Sequence, residues 1–152
     1  MFNRIKKMIA VNAAAIFFIS LDRFLKVFAF NNQGRQFNIL GEILNFSYHD
    51  NYYIAFSLPL HGRWLNIIIF LIILLLIFYW LKALLSGRRL TAVCLLAVVM
   101  GAASNLFDRL KYGYVIDYLD LKYFTVFNLA DLMITAGIIC LLFIKGSKSE
   151  NN

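Results

Sequence analysis

The feature that most constrains this chain is the stretch from Ile67 to Leu81, an unbroken run of aliphatic and aromatic residues. Extended to Trp64–Leu85 it reaches the roughly 20 residues a helix needs to cross about 30 Å of hydrocarbon. No wet face can be drawn on such a segment. Its solvent is lipid, and a 62% apolar composition with only 15% charged residues says the same of the chain as a whole. The 152 residues suffice for one domain.

Three further segments have comparable character: Met8–Phe30, Leu90–Leu106 and Thr125–Ile144. The third span is short, and the first and fourth carry ionisable residues, so only the second reads as purely structural. The expected fold is an all-α membrane protein of four transmembrane helices, a single integral membrane domain covering residues 1–152. Between the first two spans, residues 31–63 are polar, and QFNILGEILNFSYHDNYYIAF alternates loosely as short strands do. A small extracytoplasmic β element on the membrane surface is expected there. The opening MFNRIKKMIAVNAAAIFFISLD has the basic and apolar regions of a signal peptide but no small-x-small cleavage site, so it reads as a retained first helix. GSKSENN is a frayed tail.

Charge sets orientation, because basic residues at helix ends stay cytoplasmic. With both termini inside, Arg4, Lys6, Lys7, Lys82, Arg88, Arg89, Lys145 and Lys148 face only Glu150, and the whole net charge of +7 falls on that side. The outer side balances: Arg23, Lys26, Arg35, Arg63, Arg109, Lys111 and Lys122 against Asp22, Glu42, Asp50, Asp108, Asp117, Asp120 and Asp131. The basic excess therefore belongs to membrane flanks and not to nucleic-acid binding. Cys94 and Cys140 lie in separate apolar runs and read as packing residues, with neither a disulfide framework nor a zinc site. His49 and His61 are single loop histidines, so no metal site is expected.

Helical rise converts sequence distance into depth. Counted from Lys7, Arg89 and Lys145, the residues Asp22, Asn105 and Asp131 lie roughly 22, 24 and 21 Å above the inner interface. Three helices thus bring polar groups to one level. Ionisable residues in a span are costly unless they face the bundle interior, which makes them functional candidates by default. Asp22 and Lys26 share a helix face, as do Asn105, Asp108 and Arg109, and Asn128, Asp131 and Thr135. Gly101, with Ala97 and Ser104, offers the third helix a small-residue surface for close approach.

At this point the chain resembles the lipoprotein signal peptidases, or type II signal peptidases. The likeness rests on Asp22 and Lys26 in LDRFLK; Asn51, Ala55 and Phe56 in NYYIAFS; Asn105, Asp108 and Arg109 in GAASNLFDR; and the pair GYVIDY and FNLAD. The resemblance implies four membrane helices with a small surface β element and a mobile outer loop. It implies a monomeric, multi-pass protein of the bacterial cytoplasmic (inner) membrane, in contact with membrane lipids and without a cofactor. Its activity would be that of an aspartic endopeptidase whose substrates are precursors bearing a diacylglyceryl-modified cysteine just after the cleaved bond. The catalytic dyad would be Asp117 and Asp131, because two carboxyls sharing a proton supply both the base and the acid that peptide hydrolysis needs. Asn51, Asn105, Arg109 and Asn128 are expected to support the dyad or the substrate, and Asp108 to orient Arg109 or Asn105. Asp22 and Lys26 read as a structural ion pair beside the site, and Asp120 and Lys122 as solvated loop charges.

Tyr53 replaces a glycine usual in the family, and Met100 and Ser104 stand where glycine is frequent, adding side chains near the expected site. Tyr52, Tyr53, Trp64, Tyr112, Tyr114, Tyr118, Tyr123 and Phe124 read as an interfacial aromatic belt. Three other functions compete. A proton or ion transporter would use Asp22, Lys26 and Asp131 but would be expected to show repeat symmetry; a Ser/Lys peptidase lacks a convincing Ser–Lys face; a catalytically inactive relative would only bind lipidated precursors.

Overall fold

The computed structural model describes residues 2–52 and 62–149, with side-chain environments for residue 10 and for 13–52 and 62–144. Tyr53, Ala55, Phe56 and His61 lie outside the described residues. Helix α1 (Phe2–Asn31) leads into strands β1 (Gln36–Leu40) and β2 (Leu44–Asn51). Helices α2 (Arg63–Leu85) and α3 (Arg89–Tyr112) follow, then β3 (Val115–Leu121), β4 (Val126–Phe127) and α4 (Leu129–Ser149).

Four helices stand where four were expected, and α2 and α3 are long and apolar enough to cross a membrane. The expected β element is present, but it is not confined to residues 31–63. It has four antiparallel strands in the order β1-β2-β3-β4, and half of them come from the segment between α3 and α4. A β element confined to residues 31–63 could not have closed: β2 takes β3 as its second neighbour, with Asn45 opposite Asp120 and Asn51 opposite Val115. The pairing of β3 with β4 also explains why α4 begins at Leu129 and not at Thr125.

α3 runs past Leu106 through Asp108, Arg109 and Lys111, until Gly113 at φ 86 provides the left-handed residue that ends it. Arg109 and Lys111 in that last turn suit the negative end of the helix dipole. Along α2 the most apolar window is only 11% buried, so most of its residues face outward. Its inward side places Ile73 against Val99 and Leu106 of α3.

α3 and α4 approach most closely at glycines. A methyl group on Gly101 would stand 2.5 Å from the carbonyl oxygen of Ala130, and one on Gly137 would stand 2.7 Å from Val98 Cγ2 and 2.8 Å from the carbonyl oxygen of Cys94. Only hydrogen fits at either place. The small surface expected around Gly101 is thus the seam that seats the first turn of α4. Near the second glycine, Cys94 is free and buried, and Cys140 is also free.

The sheet sits over one end of the bundle. Beneath it Ala29, Phe46, Ile116 and Tyr118 form a buried cluster bordered by Leu25, Phe30, Tyr48 and Leu129. Trp64, Tyr123 and Phe124 are 78–93% exposed, as aromatics of an interfacial belt would be, but Tyr118 is fully buried and does not belong to the belt.

Candidate active site

The register of the sheet places the first carboxyl. β2 carries an irregularity between Phe46 and His49, so two residues of β2 lie opposite one of β3, and the register beyond it brings His49 opposite Asp117. Asn51 then sits diagonally from Asp117, and its Nδ2 donates to Asp117 Oδ2 at 2.9 Å. Without the extra residue the end of β2 would turn its other face to Asp117.

The start of α4 places the second. Asn128 immediately precedes the helix: its Oδ1 accepts from the Asp131 N–H at 2.9 Å, while Asp131 Oδ2 accepts from the Asn128 N–H at 3.2 Å. This reciprocal pair is a capping box with an asparagine and an aspartate. The two N–H groups between them are also satisfied, Leu129 N–H by the hydroxyl of Tyr118 at 3.0 Å and Ala130 N–H by Asp22 Oδ1 at 3.2 Å. All four donors that a helix start leaves open therefore have side-chain acceptors.

Asn128 joins the two carboxyls. Its Nδ2 donates to Asp117 Oδ1 at 2.6 Å, and Asn105 Nδ2 donates to Asp131 Oδ1 at 2.7 Å. Asn105 Oδ1 in turn accepts from Asn128 at 3.2 Å and from Lys26 Nζ at 2.7 Å. Residues from β2, β3, α1, α3 and α4 thus converge on one point, and Asp22, Asn105 and Asp131, placed at a common depth by counting, meet there.

Burial and the nearby charge of Asp131 push the Asp117 carboxyl up to about 7, against the opposing donation from Asn51 and Asn128 and the pull of Lys26. Burial dominates because a carboxylate loses more hydration there than two amides restore.

Asp22 and Lys26 are indeed an ion pair, 3.4 Å apart and fully buried, but they anchor more than α1. Asp22 also accepts from Ser104 Oγ at 2.5 Å and Tyr118 OH at 3.1 Å. Ser104, read from the sequence as part of a small-residue surface and as a side chain in place of glycine, is a hydrogen-bond donor to this carboxylate. The Asp108 carboxylate bonds Arg23 at 2.6 Å and Lys26 at 2.8 Å, and accepts from Ile116 N–H at 3.3 Å. Lys26 also bonds Asn105 and so links the two side chains. Arg23, which sequence reasoning left among the balancing charges, completes a cluster of two carboxylates and two cations. Opposite charges at this depth must be paired, since an isolated one costs several kcal/mol.

Arg109 is 8% exposed and directs Nη1 to the Tyr52 carbonyl at 3.5 Å; Asp117, Asp131 and Asp108 are near enough for their charges to act on it. The loop charges divide: Lys122 pairs with Glu42 at 2.7 Å on the surface, whereas Asp120 lies in β3 with His49 at 4.0 Å. Among the described residues no group of three or more histidine, cysteine or acidic side chains could hold a metal ion.

A model of the signal peptidase (SPase) II family matches residues 14–145. A lipoprotein signal peptidase from Caldicellulosiruptor bescii is 40% identical over 107 residues, 70% of each chain. One from Streptococcus agalactiae serotype Ia is 30% identical over 149 residues, 94% of this chain and 96% of the relative. Two solved structures, each titled as a bacterial membrane enzyme, share the fold. The first has a TM-score of 0.81 and 21% identity over 94% of this chain and 91% of the other. The second has a TM-score of 0.73 and 23% identity over 89% of this chain and 91% of the other. With a family model covering most of its length and such relatives along nearly all of it, the chain belongs to the signal peptidase II family of proteases.

Proposed function

We propose that this protein is an intramembrane aspartic endopeptidase that removes signal peptides from diacylglyceryl-cysteine precursors, with Asp117 and Asp131 as a water-activating dyad. The observation that carries the reading is the pair of carboxyls on β3 and α4, both bonded to Asn128. The charges of the buried assembly support one shared proton. Asp22, Asp108, Asp117 and Asp131 stand against Arg23, Lys26 and Arg109, and a single proton on the dyad restores balance. The raised position of Asp117 keeps that proton in place toward neutral pH.

In this mechanism water adds to the scissile carbonyl carbon as the ionised carboxyl of the pair takes its proton, and the protonated carboxyl gives its own to the carbonyl oxygen. Collapse of the tetrahedral adduct breaks the C–N bond, and the nitrogen of the lipidated cysteine leaves with a proton from the pair. The two groups titrate as a unit. Asn51, Asn105 and Asn128 hold the carboxyls, and Arg109 faces both them and the substrate backbone. In the bilayer all four helices span, both termini are cytoplasmic, and the sheet lies at the outer face of the bacterial inner membrane. There the acyl chains of the substrate remain in lipid while the bond beside the cysteine reaches the dyad. The protein acts as a monomer.

The test is release of the signal peptide from a synthetic diacylglyceryl precursor by purified protein. Asp117→Asn and Asp131→Asn are each expected to lower turnover on the order of 10³-fold or more while insertion and melting behaviour hold. Unchanged turnover in either variant overturns the dyad.

A further inference from the structure

We infer that Tyr118 is a positioning residue for cleavage: its buried hydroxyl ties the strand that carries Asp117 to the helix start that carries Asp131, and so sets the separation of the two carboxyls. This inference rests on the dyad reading above and adds to it a residue that touches neither reacting carboxyl.

Tyr118 follows Asp117 in β3 and is fully buried, the largest such side chain among the described residues. Its ring lies on Phe46 at a centroid distance of 5.3 Å. Its hydroxyl does two things at once. It accepts from the Leu129 N–H at 3.0 Å, and it donates to Asp22 Oδ1 at 3.1 Å. One oxygen thus spans β3, α4 and α1. Asp22 is itself held by Ser104 and Lys26, and it accepts from the next amide of α4, Ala130. Burial pushes the Tyr118 hydroxyl up, and Asp22 pushes it further, so it stays protonated and its single hydrogen is committed to Asp22. That leaves a lone pair for Leu129 and fixes the direction of the tie.

Besides the pairing of β3 with β4, Asn128 provides a second side-chain connection between β3 and the start of α4, through Asp117 Oδ1 and, at 3.4 Å, the Ile116 carbonyl. Asn128 bonds the reacting carboxyls directly. Tyr118 holds the same junction from a ring locked in the core, so it supplies the fixed reference. Phenylalanine would keep the ring and its packing but leave the Leu129 N–H and one Asp22 oxygen short of a partner.

Several groups face Asp117: Asn51 from β2, Asn128 and Asp131 from α4, Lys26 from α1 and Arg109 from α3, with His49 opposite in the register. Of these, the effects of Asn128 and Asp131 both weaken if β3 and the start of α4 drift apart, and Asp131 has the larger effect. Its charge raises Asp117, so greater separation lowers the pH at which the shared proton is lost.

The experiment measures kcat, KM and the alkaline limb of kcat for wild type and Tyr118→Phe on the same diacylglyceryl precursor. Expected are a kcat loss between about 10- and 100-fold, an unchanged KM and an alkaline limb moved to lower pH. A merely structural tyrosine would reduce the folded fraction and the melting temperature without moving the limb. Phe46→Leu is the control, loosening the ring without touching the hydroxyl, and its limb should stay in place. Leu129→Pro removes the same hydrogen bond from the other side, because proline is tolerated at the first position of a helix. It keeps the test decisive should Tyr118→Phe fail to fold, and it is expected to shift the limb in the same direction. A wild-type kcat and limb in the folded variants overturn the inference. Full activity in Asp117→Asn would instead overturn the dyad, so the two failures are distinct.

Discussion

The lipid-facing side of α2 and the junction under the sheet are opposite solutions to living in a bilayer. α2 turns Ile68, Phe70, Leu71, Ile72 and Leu75 outward, each 50–57% exposed, and needs from them only that they be apolar. The junction buries Asp22, Lys26, Asp108, Asp117 and Asn128 at 0–2% exposure and needs each atom in place. Against lipid, one aliphatic side chain is much like another. Within the junction, each polar group is the partner that makes another one bearable, so losses propagate.

That contrast is sharpest at Lys26, which bonds Asn105 and Asp108 and pairs with Asp22. Lys26→Met fills the same space but leaves Asp22 without its cation and Asp108 with Arg23 alone, and a loss of about 3–5 kcal/mol is expected, since breaking a buried pair leaves an uncompensated charge. Thermal unfolding in detergent measures it; a melting temperature near wild type would mean that water reaches these groups and that the junction is not sealed.

A smaller effect of a different kind is expected at Asn51. Its amide favours the charged form of Asp117, so Asn51→Ala raises that carboxyl further above about 7. The proton is then retained to higher pH, and the alkaline limb of kcat moves upward, opposite to the shift expected for Tyr118→Phe. A pH series of initial rates reads the direction, and a downward shift would show that Asn51 does not act on Asp117. The smallest effect belongs to α2. Ile72→Ala removes only lipid contact, and it should change stability by less than about 0.5 kcal/mol and leave turnover alone. A larger change would show that this face packs against protein in the membrane.

The same contrast explains what could be read from the chain. Long apolar runs announce themselves locally, so the four helices were legible, with boundaries displaced where charged turns extend α3 and strand pairing delays α4. Depth counting found the level at which Asp22, Asn105 and Asp131 meet, because helical rise is uniform. The second half of the sheet was not found, although Val115, Ile116 and Tyr118 are residue types that favour strands. Seven residues between a helix and a two-residue partner are too few to declare themselves without the neighbour that stabilises them. Ser104, Arg23 and Tyr118 were misread for one reason. Their partners, Asp22, Asp108 and Asp22 again, lie 82, 85 and 96 residues away, and no local pattern encodes such contacts.

The box that opens α4 has a consequence for how the protein tolerates change. Asn128 and Asp131 begin the helix with the same side chains that form the proposed dyad and its support, so neither role can change without the other. An asparagine at 131 keeps an oxygen for the Asn128 N–H and silences the chemistry alone, whereas a leucine there would unravel the helix entrance as well. Errors at this spot therefore come in two kinds, quiet copies that persist in the membrane and frayed ones open to proteolytic removal.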